Sequence, residues 1–178
     1  MIEPIYLIET TMEKEDYRKF LYTATFLRNK LVIPLIALIS LVGSVVISAG
    51  EPWRKLWTVL LLLGVLFVLS VAAICLRVEA KNKQRIKTDR TAAFGSKAIL
   101  KFFADSLTME QPAFASVGTM GYDQFFALLE SKDYYIFYLN ANQATLIRKK
   151  DVADKEGFEK FIREKFAGRY KTTGFIHR

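Results

Sequence analysis

The side chains that could carry catalysis or bind a metal are few in this chain of 178 residues. The only histidine is His177, the penultimate residue, and the only cysteine is Cys75, so the usual ligand set of a zinc site is missing. Asp123, Glu130 and Asp133 lie close in sequence, but carboxylates at turns and strand ends are far more often surface groups than acid–base pairs. The nine glycines form no phosphate-binding motif. We therefore predict no catalytic residue, no metal site and no cofactor.

Basic residues are abundant, and the chain has a net charge of +8. The largest excess lies in residues 31–90, which hold eight basic and three acidic groups, and most of these cations follow an apolar run. A basic cluster beside a membrane helix indicates topology and attraction to anionic lipid before it indicates nucleic acid, so we predict no nucleic-acid partner. The candidate contacts with anionic lipid are Arg77, Lys81, Lys83, Arg85 and Lys87.

A second basic feature is the run Arg148, Lys149 and Lys150. One interpretation is a solvated turn that precedes the last helix. The other is a contact with an anion, either a lipid headgroup or an acidic partner protein. Both interpretations are compatible with the sequence.

Two long apolar runs must position these groups. Leu31 to Ala49 and Leu56 to Leu76 contain 19 and 21 residues without a formal charge, separated by Gly50 to Lys55. As helices they would extend about 28 and 31 Å, which matches a hydrocarbon core of about 30 Å. A buried soluble helix rarely stays apolar on all faces over such a length. The sequence therefore predicts a transmembrane hairpin over residues 31–76.

The basic residues also predict the orientation of this hairpin. Eleven of them flank the two spans on the side of the chain termini, whereas the connecting loop contains only Arg54 and Lys55. By the positive-inside rule both termini are cytoplasmic, in a multi-pass protein of the plasma membrane. The first apolar run starts deep in the chain and lacks a small-residue cleavage site, so no removable signal peptide is predicted.

Small residues recur within both spans. Ser40, Ser44 and Ser48 are spaced four residues apart, and Gly64 and Ala72 share a stripe of the second span. Such positions let a neighbouring helix approach closely. They predict helix packing, either within the hairpin or along the seam of a homo-oligomer.

Residues 1–30 are predicted to form a short strand followed by an amphipathic helix. Thr10 and Glu13 have the spacing of a capping box at the start of that helix. The helix either packs on the rest of the protein or lies among lipid headgroups, with Tyr22 and Phe26 as anchors. After the second span, residues 77–94 are predicted to continue as a basic juxtamembrane helix.

Residues 95–178 alternate short β-prone runs with turns and end in a helix from about Asp154 to Ala167. Gly118 and Gly121 indicate irregular backbone or a bulge, and the strand over residues 134–139 is apolar on both faces. The predicted class is α+β with membrane helices: a hairpin followed by a small antiparallel β barrel-like domain that is closed by the C-terminal helix. The residues that close it are Phe158, Phe161, Ile162 and Phe166.

Several segments together resemble the bacterial YcxB-like family along almost the whole chain. They are the Thr10-Thr11 helix start, the two-span hairpin, and residues 122–126, 130–139 and 146–152. The family pattern has a proline where this chain has Arg148 and an aromatic residue where it has Val152. The resemblance implies a cytoplasmic domain similar to pleckstrin-homology (PH) barrels and a bacterial plasma-membrane location. It implies no established activity and no site residues.

Two functional hypotheses follow. The first is a non-enzymatic membrane protein that presents a cytoplasmic PH-like interaction domain at the inner leaflet, where it binds a protein or a lipid headgroup. The second is an accessory or regulatory subunit of a membrane transport or export complex, which it contacts through the hairpin. The lipid bilayer is a predicted partner in both, and a homo-oligomer is compatible with either.

Overall fold

The computed structural model describes residues 3–28, 30–49, 56–89, 94–140 and 143–173. The predicted outer loop over residues 50–55 and His177 lie outside these ranges. The helices are α1 (Lys14–Tyr22), α2 (Val32–Ser48), α3 (Leu56–Thr88) and α4 (Lys155–Lys165), and a π-helical segment, Thr23–Leu27, follows α1. The strands are β1 (Tyr6–Thr11), β2 (Lys97–Phe102), β3 (Ser106–Gln111), β4 (Ser116–Gly121), β5 (Ala127–Glu130), β6 (Tyr134–Tyr138), β7 (Ala144–Arg148) and β8 (Tyr170–Thr172).

The chain divides into two compact units. The first, called the α/β unit, combines Met1–Asp16 with Asp89–Arg178, and the second, called the helical unit, is Tyr17–Thr88. The division falls within α1, whereas the sequence placed a boundary at residue 30. The α/β unit is therefore discontinuous in sequence.

The α/β unit contains two four-stranded sheets, ordered β1-β2-β3-β4 and β7-β6-β5-β8. Neighbouring strands are antiparallel except β5 and β8, which are parallel. The α+β class is confirmed. The finer prediction, an antiparallel barrel-like domain, is not confirmed, because within the described residues no ladder of hydrogen bonds joins the two sheets and the pair of β5 and β8 is parallel.

An aromatic core fills the α/β unit. Phe158 and Ile162 of α4 and Phe166, directly after it, are fully buried, as predicted, and Phe161 is half-buried. The Phe166 ring meets the rings of Tyr122, Phe125 and Phe137 edge-on, with centroids 5.5 to 5.8 Å apart. All five residues of β6 are buried, which confirms that this strand is covered on both faces.

Three local predictions failed. Gly118 and Gly121 lie in the regular strand β4, which pairs with β3 residue for residue, rather than in irregular backbone. Thr10 does not cap a helix, because it lies in β1 and its hydroxyl donates to Asp151; the Glu13 amide donates instead to the Asp16 carboxylate at 2.9 Å. The short strand β8 was not predicted.

In the helical unit, α2 packs against α3. The close approach is at Gly43, where a Cβ atom would lie 3.2 Å from Leu66 Cδ1. Helix α3 runs unbroken for 33 residues, so the predicted helical continuation beyond Leu76 is confirmed as far as Thr88. By length and composition α3 could cross a membrane, while α2 reaches that length only if it is counted with the helical segment 14–27.

Candidate functional site

The basic end of α3 is an exposed charged surface. Arg77, Lys81 and Arg85 follow one side of the helix at four-residue spacing, and Lys83 and Lys87 follow another. All five side chains are exposed over about 15 Å of helix, and within the described ranges no ion pair joins them to a carboxylate. The predicted lipid-contact residues are therefore brought together as a continuous basic surface, which we call the basic face.

Next to the basic face, α3 is fixed to α1 through Glu79. Its Oε1 atom accepts hydrogen bonds from Arg18 Nε at 2.7 Å and from the Tyr22 hydroxyl at 2.9 Å. The Arg18 guanidinium, followed by the Tyr22 hydroxyl, holds the pKa of Glu79 below its ordinary value. The buried residues of this part of α3 are Val78 and Asn82. Glu79 is thus engaged mainly with α1, and of the five cations of the basic face Lys83, four residues further along α3, also acts on its carboxylate.

The second predicted basic feature has a different arrangement. Arg148 Nε donates to Asp151 Oδ2 at 2.6 Å, and Arg148 Nη1 lies 3.8 Å from Asp16 Oδ2. Asp16 also accepts from the Tyr134 hydroxyl at 2.6 Å, and Asp151 accepts from the Thr10 hydroxyl at the same distance. A proline at position 148 could make none of these side-chain bonds. Arg148 is engaged within the α/β unit.

Lys149 and Lys150 differ although they are neighbours. The Lys149 ammonium donates to Glu130 Oε1 at 2.5 Å and lies 4.9 Å from the centre of the Tyr135 ring. Lys150 is exposed. Of the run predicted as an anion or partner contact, only Lys150 presents its charge freely to solvent.

Glu130 is a charged residue whose burial the sequence did not predict. Only 2% of this residue is exposed, and its Oε2 atom accepts from Arg163 Nη2 at 3.1 Å and from the Tyr170 hydroxyl at 2.7 Å. Burial, followed by the bond to Glu130, raises the pKa of Tyr170, and burial raises that of Tyr135 to about 12. We call Glu130, Lys149, Arg163 and Tyr170 the Glu130 cluster.

The expectation that Glu130 is a surface carboxylate is wrong. It ends β5, whose four residues are all buried, and its side chain points to cations 19 and 33 residues further along the chain. The sequence feature that could have indicated the burial of Glu130 was the apolar run that directly precedes it. Its cations also bind carboxylates of the same chain, since Arg163 pairs with Glu159 at 2.5 Å. The cations of the Glu130 cluster are therefore already paired with carboxylates of the chain, and the cluster leaves no open position for a ligand anion.

The predicted helix-packing residues separate into two sets. Ser40 and Ser44 are buried and Ser48 is half-buried, and the Ser44 hydroxyl donates to the Leu41 carbonyl at 2.8 Å. Gly64 and Ala72 are exposed, and a Cβ atom at Gly64 would meet nothing within 4 Å. The serines therefore lie on the packed side of α2, whereas the small residues of α3 face outward.

A small cleft lies in the α/β unit. It has a volume of about 120 Å³ and is lined by hydroxyl, amide and small apolar side chains, including Thr10, Gln111 and Thr145. The Thr10 hydroxyl is bonded to Asp151 and the Thr145 hydroxyl to Met109 Sδ. In the described part of the chain, no three His, Cys, Asp or Glu side chains are grouped to hold a metal ion.

Comparison with known proteins gives one match. Residues 115–163, from the start of β4 into α4, match the family model described as YcxB-like protein. This stretch contains three of the segments that suggested the resemblance, whereas the Thr10-Thr11 start and the apolar helices lie outside it. Neither the comparison with curated proteins nor that with solved structures found a match. The predicted resemblance to the YcxB-like family is confirmed for residues 115–163 of this chain.

Proposed function

We propose that this chain is an integral membrane protein, anchored by α2 and the apolar part of α3, that presents the α/β unit at the cytoplasmic face of the plasma membrane. The observation that carries the proposal is the exposure of α3: none of its most apolar 18-residue window is buried. The core helix of a soluble protein would be covered by other parts of the chain. For α3 a bilayer supplies that cover.

The order of groups along α3 supports this placement. Its apolar part, residues 56–76, has a helical length of about 31 Å, close to the thickness of a hydrocarbon core. The basic face begins with Arg77, directly after the apolar part, at the level where headgroups would start. Basic residues beside a span favour the cytoplasmic side. The same cations attract anionic headgroups by about 1 kcal/mol for each well-placed side chain.

The α/β unit is proposed as a non-enzymatic interaction module, PH-like in the sense implied by the family resemblance, that binds a protein or a lipid headgroup. Its charged clusters are neutralised internally, which suits a structural scaffold better than a catalytic site. The anchor would keep this binding module at the membrane surface.

The anchoring is tested by the accessibility of two engineered cysteines in a Cys75→Ser background. An impermeant thiol reagent applied to intact cells is expected to label Glu51→Cys in the connecting loop and to leave Lys155→Cys on α4 unlabelled until the cells are lysed. Labelling of Lys155→Cys in intact cells would show that the topology is the reverse of the proposed one. Recovery of the full chain in the soluble fraction would contradict the anchor itself.

A second candidate function is favoured by one observation. The exposed side of α3 carries Gly64, which lets another helix approach closely. The helical unit would then contact a membrane transport or export complex as an accessory subunit. A complex that is captured by the unaltered full chain and lost with Gly64→Leu would support this alternative.

A further inference from the structure

The edges of the two sheets differ in how they are protected. Exposed sheet edges pair readily with other chains, and proteins usually blunt them with charges, proline, bulges or short strands. Strands β1 and β7 contact each other, and β8 has only three residues, one of which is Lys171. Strand β4 has six residues and contains no charged residue and no proline. It is the unprotected edge among these four.

The geometry of β4 makes it suited to accept another strand. It pairs with β3 without a bulge, from Gln111 opposite Ser116 to Ser106 opposite Gly121. Its first four residues are exposed, and Val117 is 68% exposed. No second strand pairs with β4 within the described residues. The outer edge of β4 is therefore unpaired within the described residues and exposed over Ser116 to Thr119, where an extended strand could hydrogen-bond to it.

We propose that β4 pairs antiparallel with β4 of a second copy of this chain, across a two-fold axis at Thr119. Residues 117, 119 and 121 share one face of the strand, so pairing centred on Thr119 keeps the two faces of the joined sheets continuous. This register sets Thr119 opposite the partner's Thr119 and Gly118 opposite the partner's Met120. The two four-stranded sheets become one sheet of eight strands.

The side chains of β4 are complementary to themselves in this register. A Cβ atom at Gly118 would meet nothing within 4 Å, which leaves room for the exposed part of the partner's Met120, a half-buried residue that also packs against the core of its own chain. Methionine is flexible and fills irregular spaces well, and paired threonines are a favourable cross-strand combination. Each copy supplies one methionine and one glycine, so the fit occurs twice.

Charge permits a second copy at this edge. The chain has a net charge of +8, and most surfaces of two copies would repel each other. The β4 edge carries no charge, and the nearby Lys101 and Glu110 on β2 and β3 neutralise each other at 2.5 Å. Two copies therefore meet here without opposing like charges. The inference does not depend on the proposed membrane anchoring.

Disulfide crosslinking of the full chain in unfractionated cell lysates tests the register, in a Cys75→Ser background. Directly opposed residues have Cβ atoms about 4.5 to 5.5 Å apart, so Thr119→Cys is expected to form a covalent dimer under mild oxidation. The matched control is Val117→Cys, on the same strand and face. Its counterpart in the dimer lies four residues away along the strand, about 13 Å, so Val117→Cys is expected to remain monomeric.

Two variants with opposite charges at position 119 distinguish a loss of strand pairing from a loss of folding. Thr119→Lys and Thr119→Glu are each expected to lower the dimeric fraction of purified full chain at least tenfold, because like charges meet at the axis. Mixing the two variants should restore dimers, which misfolded chains could not do even though Thr119 bonds to Thr108 at 2.9 Å.

Three results would overturn the proposal. They are equal crosslinking of Val117→Cys and Thr119→Cys, a monomer in the mixture of charge variants, and crosslinking of Thr119→Cys to a different protein instead of to itself. The last result would assign the β4 edge to a strand of another partner.

Discussion

In the α/β unit, Arg148, Lys149 and Arg163 are bound to carboxylates of the same unit, whereas the cations at the end of α3 are exposed. In the Glu130 cluster a carboxylate with 3% of its side chain exposed contacts Lys149 and Arg163. On α3, five cations share one helix with a single local acid, Glu79, which is bound to Arg18. The comparison teaches that the number of basic residues in a run does not indicate a binding surface. What matters is whether buried acids are available to neutralise them.

The largest expected effect comes from opening the Glu130 cluster. Glu130→Gln leaves Lys149 and Arg163 without their buried counterion and is expected to lower the free energy of unfolding of the α/β unit by about 3 kcal/mol. This value is near the low end for a broken buried pair because both cations keep some exposure. Hydrogen exchange of β5 and β6 amides in the full chain measures it, as roughly 100-fold faster exchange.

Two neighbouring lysines provide the matched control for that prediction. Lys149→Gln should reproduce much of the loss, since it also breaks a bond to the buried carboxylate, whereas the exposed Lys150→Gln should change the free energy of unfolding by less than about 0.5 kcal/mol. Equal effects of the two substitutions would show that the Glu130 cluster does not hold the unit together.

A smaller effect is expected at the basic face. Replacing Lys83, Arg85 and Lys87 by Gln, while Arg77 and Lys81 are kept for topology, should remove enrichment of anionic lipid around the full chain. The three cations contribute at most about 1 kcal/mol each, reduced by salt. The measurement is energy transfer from a donor at Gln84→Cys, with Cys75→Ser, to labelled anionic or neutral lipid in vesicles.

The control for the lipid experiment removes the same charge elsewhere. Lys132→Gln, Lys155→Gln and Lys160→Gln lie on exposed positions of the α/β unit and should leave the enrichment unchanged. If both triple variants behave like the parent chain, the basic face has no preference for anionic lipid. The difference in exposure between its cations and those of the α/β unit would then have no consequence for lipid binding.

The smallest effect concerns Glu79. Its pKa is held below 4.5 by Arg18 and Tyr22, so the contact stabilises the packing of α1 on α3 above pH 4.5 and is lost as the pH falls through the lowered value. A carboxyl NMR titration of the full chain in detergent should show the lowered pKa, and Arg18→Gln should move it back toward 4.5. Lys14→Gln, an exposed substitution on the same helix, should leave it unchanged.

Features that depend on local pattern were predictable. The unbroken helix through Arg77, the β2–β3 hairpin, the two covered faces of β6 and the apolar side of α4 all follow from periodicity and turn residues. The Glu130 cluster was not predictable in this way, because its members come together only when β5, β7, α4 and β8 pack. Strand β8 has three residues and pairs in parallel, too short for any periodicity to show.

The glycines of β4 illustrate a different limit. Glycine is common in turns and bulges, and this general preference suggested irregular backbone at Gly118 and Gly121. The ladder with β3 overrides that preference, since all six residues find partners. A side chain at Gly121 would have to displace the Asp123 carboxylate, because a Cβ atom there would lie 2.4 Å from its Oδ1 atom.

The pairing of β1 with β2 constrains the order in which this chain can fold. Their residues, such as Ile8 and Leu100, are separated by the entire helical unit, so β1 leaves the ribosome long before its partner exists. At about 5 to 20 residues per second, synthesis imposes a delay of roughly 4 to 17 s. The contact of Arg18 with Glu79 then brings distant chain segments together and shortens the effective loop, which lowers the entropy lost when β1 finally closes the sheet. Arg18 and Glu79 are both synthesised before β2, so their contact can form before the first sheet is complete.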